Sequence, residues 1–439
     1  MKIRTLVATA AVLALGLAGC SGGGDASTSP KDSGDASAPS EPVTITYTHR
    51  LPDGEGMTKV ADIVKKWNDE NPNIQVKATK FDGQAGEMVK RLDTDIKAGK
   101  GPCLAQVGYA EVPSLFSKGL LVDVTGEVEK YADHFGEGGI GLMHVGDVGV
   151  GLPQDTGPLV YYYNKAEFEK LGLKVPTTAD ELLQTAKDAA AKGKYVIDFQ
   201  SDEAQAQLSA LAAAAGAQWY KAENDAWTVD VTSKETQKVT DFWQAALDAK
   251  AALVEPRWGD GFKQALVSQK LIGTIGAAWE APLLSGDMAG TPNDGQWQVV
   301  QLPKFGDEAM SGPDGGSGVA VMKGCEHPAE AMQFNDWFNT QIDDLATQGL
   351  VVAAKGDVKT PEDVAKFYGG QEVMKELAKA NEIMNPDFGY IPTWPAVADP
   401  MSKGAAAAGS GSGKVAAIFE GAQKESLKSL KEAGMPVNE

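Results

Sequence analysis

The feature that most constrains this chain is an alternation, starting at residue 44, of short β-branched runs with runs of helical period. Thr44-Ile45-Thr46-Tyr47-Thr48 reads as a strand, and Met57, Val60, Ala61, Val64 and Trp67 then recur at helical spacing. Asn71-Pro72-Asn73 breaks that helix, and Ile74-Gln75-Val76 forms a second strand. A further helix from about Met88 to Ile96 leads through Ala98-Gly99-Lys100-Gly101-Pro102 into Leu104-Ala105-Gln106-Val107. Strands joined through helices pair in parallel, and helices then cover both sheet faces, so the fold class is α/β. Roughly 400 residues follow, too many for one ordinary core, and two domains are the expectation.

Ahead of this body lies a different kind of sequence. Lys2 and Arg4 precede an uncharged apolar run from Leu6 to Leu17, shorter than the roughly 20 residues that a spanning helix needs. Residues 1–19 are therefore expected to be a secretion leader. The run closes on Leu17-Ala18-Gly19-Cys20, which resembles the bacterial lipobox. That resemblance implies that Cys20 becomes the first mature residue and carries the acyl chains. Ser, Gly, Ala, Asp, Thr, Lys and Pro fill the next stretch to Pro42, a composition that buries too little apolar surface to order itself. As a lipidated flexible tether, residues 20–42 reach about 25 Å. No later apolar run is long enough to cross a bilayer, so the expected location is the outer face of the cell membrane, held by lipid. A net charge of -20 argues against a nucleic-acid partner, which needs a basic face.

Further along, the residues resemble a known family, the extracellular solute-binding proteins (family 1) that deliver sugars to ATP-binding-cassette importers. Asn71-Pro72-Asn73-Ile74-Gln75-Val76, the Ala98 to Pro102 turn and Lys118-Gly119-Leu120-Leu121-Val122-Asp123-Val124-Thr125 are similar to its first landmarks, in order. Gly157-Pro158-Leu159-Val160-Tyr161-Tyr162-Tyr163-Asn164-Lys165, then Leu171 to Thr178 with Glu181-Leu182, resemble its most recognisable signature. Gly273-Thr274-Ile275-Gly276 before Trp279, Leu302-Pro303, and Gly315 to Val321 before His327-Pro328-Ala329-Glu330-Ala331 extend the likeness over nearly the whole mature chain. Cys103 departs from the pattern, since the family usually has an aspartate after Gly-Pro.

The resemblance implies a two-lobed periplasmic-binding-protein-like fold of type II, with discontinuous Rossmann-like lobes joined by a hinge. Lobe 1 would comprise 43–153 and 306–375, and lobe 2 would comprise 154–305 and 376–439. It also implies a lipoprotein that binds a neutral oligosaccharide between the lobes, passes it to permease subunits, works as a monomer and performs no catalysis. A receptor for a polyamine or phosphate ester on the same fold is the alternative, and an anchored glycan-processing enzyme a more distant one.

In open parallel sheets the ligand crevice lies beyond the carboxyl ends of the strands. His49 and Arg50 follow the first strand, Phe81 and Asp82 the second, and Gly108, Tyr109 and Glu111 the third. Asp155 and Thr156 sit at the first crossover, Gly315 and Gly316 at the return, and Trp279 and Glu280 after the strand Ile272 to Ile275. Trp258 and Trp394 offer aromatic surface in segments where Pro and Gly argue against regular structure. A pyranose presents C–H bonds on one face and hydroxyls at its rim, so an indole can cover the first while carboxylates bind the second. The candidate ligand residues are therefore Trp279, Trp258, Trp394, His49, Asp82, Tyr109, Asp155, Thr156, Glu280, Gly315 and Gly316. Against each stands a plainer role, core packing for aromatics and hydration for loop acids. Trp67, Trp243 and Trp337, at helical spacing, and Trp219, Trp227 and Trp297 read as packing residues.

Chemistry of other kinds finds little support. The four histidines show no metal-ligand spacing, and no CxxC, P-loop or GxSxG occurs. No cofactor and no metal are expected. The glycine-rich run Gly312 to Gly318 precedes a strand and opens no helix, so it cradles no nucleotide. The Ala/Gly/Ser tract from Gly404 to Gly413 reads as a loose loop between helices. In the fold that the resemblance implies, Gly318 to Met322 returns antiparallel beside the strand that Cys103 opens, so Cys103 and Cys325 can meet. A bridge is preferred over two buried thiols, since an exported protein can keep one.

Overall fold

Helices connect the first three strands, which therefore run parallel. The computed structural model describes residues 42–438 except 55, 56, 84, 224 and 258, with the backbone alone for 85 and 86. The expected leader, Cys20, the tether to residue 41, and Trp258 lie outside the described residues. Strand β1 (Val43–His49) pairs in parallel with β2 (Ile74–Lys80), from Val43 opposite Ile74 to His49 opposite Lys80. On its other side it pairs with β3 (Leu104–Gly108). The helix Val60–Glu70 between β1 and β2 buries Val60, Ile63, Val64 and Trp67, one stripe at helical period. It stops at Asn71, and the Trp67 indole donates to the Ile74 carbonyl at 2.8 Å, fixing the turn into β2. Fully burying each such aliphatic side chain contributes about 1.5–3 kcal/mol. The helix Pro328–Asn339 closes this core with Phe334 and Phe338, which meet Tyr47 edge-on.

The element that organises the rest is β4 (Gly151–Asn164), buried along all 14 residues. Two further strands, β5 (Gly273–Ala277) and β6 (Trp297–Gln301), flank its second half in antiparallel pairing. Strand β7 (Pro313–Val321) pairs antiparallel with the first half of β4 and with β3. The sheet order is thus β5-β4-β7-β3-β1-β2, with β6 on β4. Burial on both faces lets β4 carry consecutive large residues. Val160 and Tyr162 pack against Phe262, Trp297 and Tyr368, while Tyr161 and Tyr163 enter the core with the alanine-rich helix Ala204–Ala214.

Among the described residues only β4 and β7 run through both halves of the sheet, and where they cross their register slips between Pro313 and Gly316 and again at Ser317. Gly315 and Gly316 there hold φ of 79° and 93°, which a side chain would strain. A third passage runs beside β4: the Thr156 amide donates to the Val351 carbonyl, and the Ala353 amide to that of Gln154.

Two expectations need correction. Gly404 to Gly409 are not in a loose loop: they complete the helix Trp394–Gly409, which buries Ala405 and Ala408, because alanine is a strong helix former and the glycines there sit where neighbours pack close. Val358, Val364, Phe367, Tyr368 and Val373 pack with Tyr162, Phe262 and Trp297. That stretch therefore belongs with the β5–β6 end of the sheet, and not with β1–β3, where the sequence reading put residues 306–375. Cys103 and Cys325 are disulfide-bonded across 222 residues, with Cα atoms 4.4 Å apart. Among the described residues no helix is long and apolar enough to cross a membrane.

Candidate ligand-binding site

The carboxyl ends of β3 and β5 are built alike. After β3, Glu111 reaches back to accept the Gly108 amide at 2.8 Å; after β5, Glu280 accepts the Ala277 amide at 2.9 Å. Each glutamate closes a single 3₁₀ turn, the first carrying Tyr109 and the second Trp279. The two turns present one aromatic residue each at the place where β4 and β7 cross.

Tyr109 is buried, and its hydroxyl donates to the Asp155 carbonyl at 2.8 Å. The Asp155 carboxylate accepts from Ser317 Oγ on β7, and Ser317 in turn accepts from Gln106 Nε2 on β3 at 3.0 Å. Burial pushes the Asp155 carboxyl up to about 6, against the Ser317 hydrogen bond and the Arg50 charge. Arg50 itself pairs with Glu111 at 3.3 Å. Gly316 makes this packing possible: a Cβ there would lie 2.7 Å from Tyr109 Cε2 and 2.9 Å from the Asp155 carbonyl oxygen.

On the β5 side the Trp279 indole, partly exposed, donates to the Asp314 carbonyl at 2.8 Å. Gly157 lets it approach, since a Cβ there would collide with that same carbonyl oxygen and stand 3.0 Å from Trp279 Cδ1. Behind Trp279 lies a desolvated charge cluster. Arg257 pairs with Glu280 and, at 3.2 Å, with Asp198, which also accepts from Thr274 at 2.5 Å. Beside the Trp279 turn is an apolar recess of about 410 Å³, lined among others by Met57, Ala278, Pro282, Leu350 and Val351. An aromatic surface, buried carboxyls and an apolar recess suit an uncharged amphipathic solute better than an ion. Among the described residues no group of His, Cys, Asp or Glu is placed to hold a metal.

Residues 52–342 match the sequence pattern of the family described as bacterial extracellular solute-binding protein. The chain belongs to that family. Among solved structures, this solute-binding protein is similar to the galacto-N-biose-/lacto-N-biose I-binding protein of the ABC transporter from Bifidobacterium longum, in complex with lacto-N-biose. The two are 53% identical with a TM-score of 0.82, over 91% of this chain and 100% of the other. It also resembles the "Multiple sugar-binding protein" of Streptococcus mutans, at 25% identity over 68% of this chain and 71% of that one. A binding protein of Bifidobacterium animalis subsp. lactis, solved with beta-1,6-galactobiose, shares the fold at 22% identity, a TM-score of 0.69 and coverage of 91% and 100%. The fold is the two-lobed α/β architecture of such binding proteins.

In this solute-binding protein, Tyr109, Asp155, Gly315, Gly316 and Trp279 converge on the crossing. His49, at the cleft end of β1, is buried beside Tyr47, and burial lowers its imidazole to about 4, so it stays neutral. Other candidates go elsewhere. Glu280 turns inward to Arg257, where an unpaired guanidinium would cost far more than a hydrated one. Trp394, only 7% exposed, begins a helix and packs on Trp219, Tyr220 and Tyr390. Asp82 stands in solvent beside Lys80. Thr156, next to Asp155 on an alternating strand, turns to the helix Glu137–Leu142 near Gly139. The tryptophans read as packing include Trp67, Trp219, Trp243 and Trp297, all buried. Asp314, Ser317, Gln106, Glu203 and Arg257 were missed. Only the slipped register of β7 reveals Asp314, which in sequence is one acid before two glycines.

Proposed function

We propose that this protein is the substrate-binding lipoprotein of an ATP-binding-cassette importer, held outside the membrane by an acylated Cys20, and that it captures a neutral oligosaccharide and catalyses nothing. The observation that carries the reading is 53% identity across the whole of a protein solved with lacto-N-biose. A disaccharide of a hexose and an N-acetylhexosamine is the ligand class we favour. The site chemistry supports it. Trp279 offers an indole edge and face for the apolar side of a sugar ring, and the carboxyls of the crossing can take its hydroxyls.

In this reading residues 43–153 with 317–354 form one lobe, and 159–312 with 358–438 the other. The passages at 154–158, 313–316 and 355–357 act as the hinge. A ligand that touches both lobes favours the closed form by its differential affinity, and the permease senses closure. The protein works as a monomer without cofactor or metal.

Thermal unfolding of the protein against lacto-N-biose, galacto-N-biose, galactobioses, maltooligosaccharides, a polyamine and a phosphate ester tests this. A ligand that binds the native state raises the midpoint. The expected result is a rise with N-acetylhexosamine disaccharides and no new product by mass spectrometry. A rise with the amine or the phosphate ester alone would overturn the sugar assignment.

A further inference from the structure

Asp314 is an acid with nothing to hold its charge. It stands one residue before Gly315 and Gly316 on β7, and its backbone carbonyl is taken by Trp279. Its side chain is 7% exposed, and among the described residues none hydrogen-bonds to its carboxyl. Neither carboxyl oxygen is sealed from solvent, so the donors that the chain does not supply can come from a bound molecule. The charged and titratable groups that face it come from three elements. Glu203 opens the helix Ala204–Ala214, Arg257 follows the short strand Leu253–Val254, and Tyr390 belongs to the loop before the helix Trp394–Gly409. Arg257 does not neutralise it, because its guanidinium is already engaged by Asp198 and Glu280. Burial first, and Glu203 second, push the Asp314 carboxyl up to about 7, and Arg257 opposes them only in part. It therefore keeps its proton up to about neutrality.

We propose that Asp314 is a ligand-recognition residue whose carboxylate accepts hydroxyl or amide N–H donors of the bound sugar, and that its proton leaves to solvent as the sugar binds. This rests on the oligosaccharide reading above. Hydrogen bonds to an ionised acceptor are about twice as strong as neutral ones. Donors supplied by the ligand remove the reason for the carboxyl to stay protonated. The step balances simply: the Asp314 O–H bond breaks, the proton passes to buffer, and the sugar is unchanged. A neutral asparagine cannot follow it, because it has no proton to release and its amide donates where a donor is unwanted.

Titration calorimetry of the full-length chain in detergent, with lacto-N-biose as probe at pH 6.5 in two buffers of different ionisation heat, tests it. Release of about one proton per ligand, or a little less, is expected, with affinity rising about tenfold per pH unit from pH 5 to 6.5 and levelling above 8. Asp314→Asn should abolish both the release and the pH dependence and bind at least about tenfold more weakly at pH 8. Glu203→Gln should move the pH midpoint down. Equal heats in both buffers, or proton uptake, would overturn the proposal whatever the variants do. So would wild-type affinity in a folded Asp314→Asn protein. Wild-type binding without proton release would sink this inference and leave the oligosaccharide reading standing. Failure of the wild type to bind any glycan would sink both.

Discussion

The indole nitrogen of Trp279 donates to the backbone carbonyl of Asp314 at 2.8 Å, which ties the turn after β5 to one of the two strands that run through both lobes. In the function proposed above, the ring that covers the sugar is thereby anchored to backbone that flexes as the lobes close. Trp279→Ala removes the ring and the anchor, and binding of lacto-N-biose should weaken by about 2 kcal/mol, roughly thirtyfold. Trp279→Phe, which keeps a ring but no N–H, should fall between. Calorimetry reads both, and wild-type affinity in Trp279→Ala would remove the ring from the site.

At Gly157 the crossing strands leave no room for a side chain. A methyl group there meets the Asp314 carbonyl oxygen, which is backbone and cannot swing aside. Gly157→Ala should cost about 1–3 kcal/mol of stability and weaken ligand binding as well, because Trp279 must shift. A thermal midpoint equal to wild type would show that the hinge is looser than this packing.

The Cys103–Cys325 bond joins the start of β3 to the segment after β7 and closes a loop across 222 positions of the chain. Reduction, or Cys103→Ser with Cys325→Ser, should lower unfolding stability by about 2–5 kcal/mol. Ligand affinity should be unchanged, since neither cysteine touches the crossing. Unfolding with and without reductant checks the first point and calorimetry the second.

Glu280 supports Trp279 by holding the turn, and it also balances Arg257 in a cluster with side-chain exposures of 0% to 3%. Glu280→Gln takes one of the two carboxylates from the buried Arg257 guanidinium, which should cost about 3 kcal/mol in denaturant unfolding. A loss under 1 kcal/mol would mean that water reaches the cluster.

Asp314 also governs stability against pH. Its native carboxyl holds a proton to about 7, while the unfolded chain releases it near 3.8. Between those values the native state binds more protons than the unfolded state, so this contribution to stability is complete below pH 3.8 and is lost as pH rises through 7. His49 acts oppositely: its native imidazole, lowered to about 4, makes stability rise with pH from about 4 to 6.5. The difference between wild type and Asp314→Asn isolates Asp314. Without ligand, the variant should match wild type at pH 4 and exceed it at pH 8 by on the order of 3 kcal/mol. A constant gap across pH would contradict the burial of this carboxyl.

Much of the site was legible before any coordinates, though in an uneven way. Tyr109 and Trp279 follow from the rule that ligands meet the carboxyl ends of strands, applied to strands visible as β-branched runs, and Asp155 from its place at the expected crossover. Glu280 satisfies the same rule and Trp394 stands in a segment that Pro marks as irregular, and local sequence separates neither from the residues that reach the crossing. Glu280 faces inward because Arg257, 23 positions earlier, needs a counter-ion, and Trp394 because Trp219 and Tyr220 form its pocket. Such choices depend on residues distant in the chain.

The sequence by itself determined the α/β class, the parallel pairing of the first strands and the tryptophans that pack, because hydrophobic period and turn residues act over a few positions. Tertiary structure alone decided where residues 358–374 pack, that the tract from Gly404 begins inside a helix, and that Asp314 sits as a buried acid beside Trp279. The physical reason is register. Side chains alternate along a strand, and the slip in β7 at Gly315 and Gly316 is set by its contact with Asp155, Thr156 and Tyr109, none of which is near it in sequence.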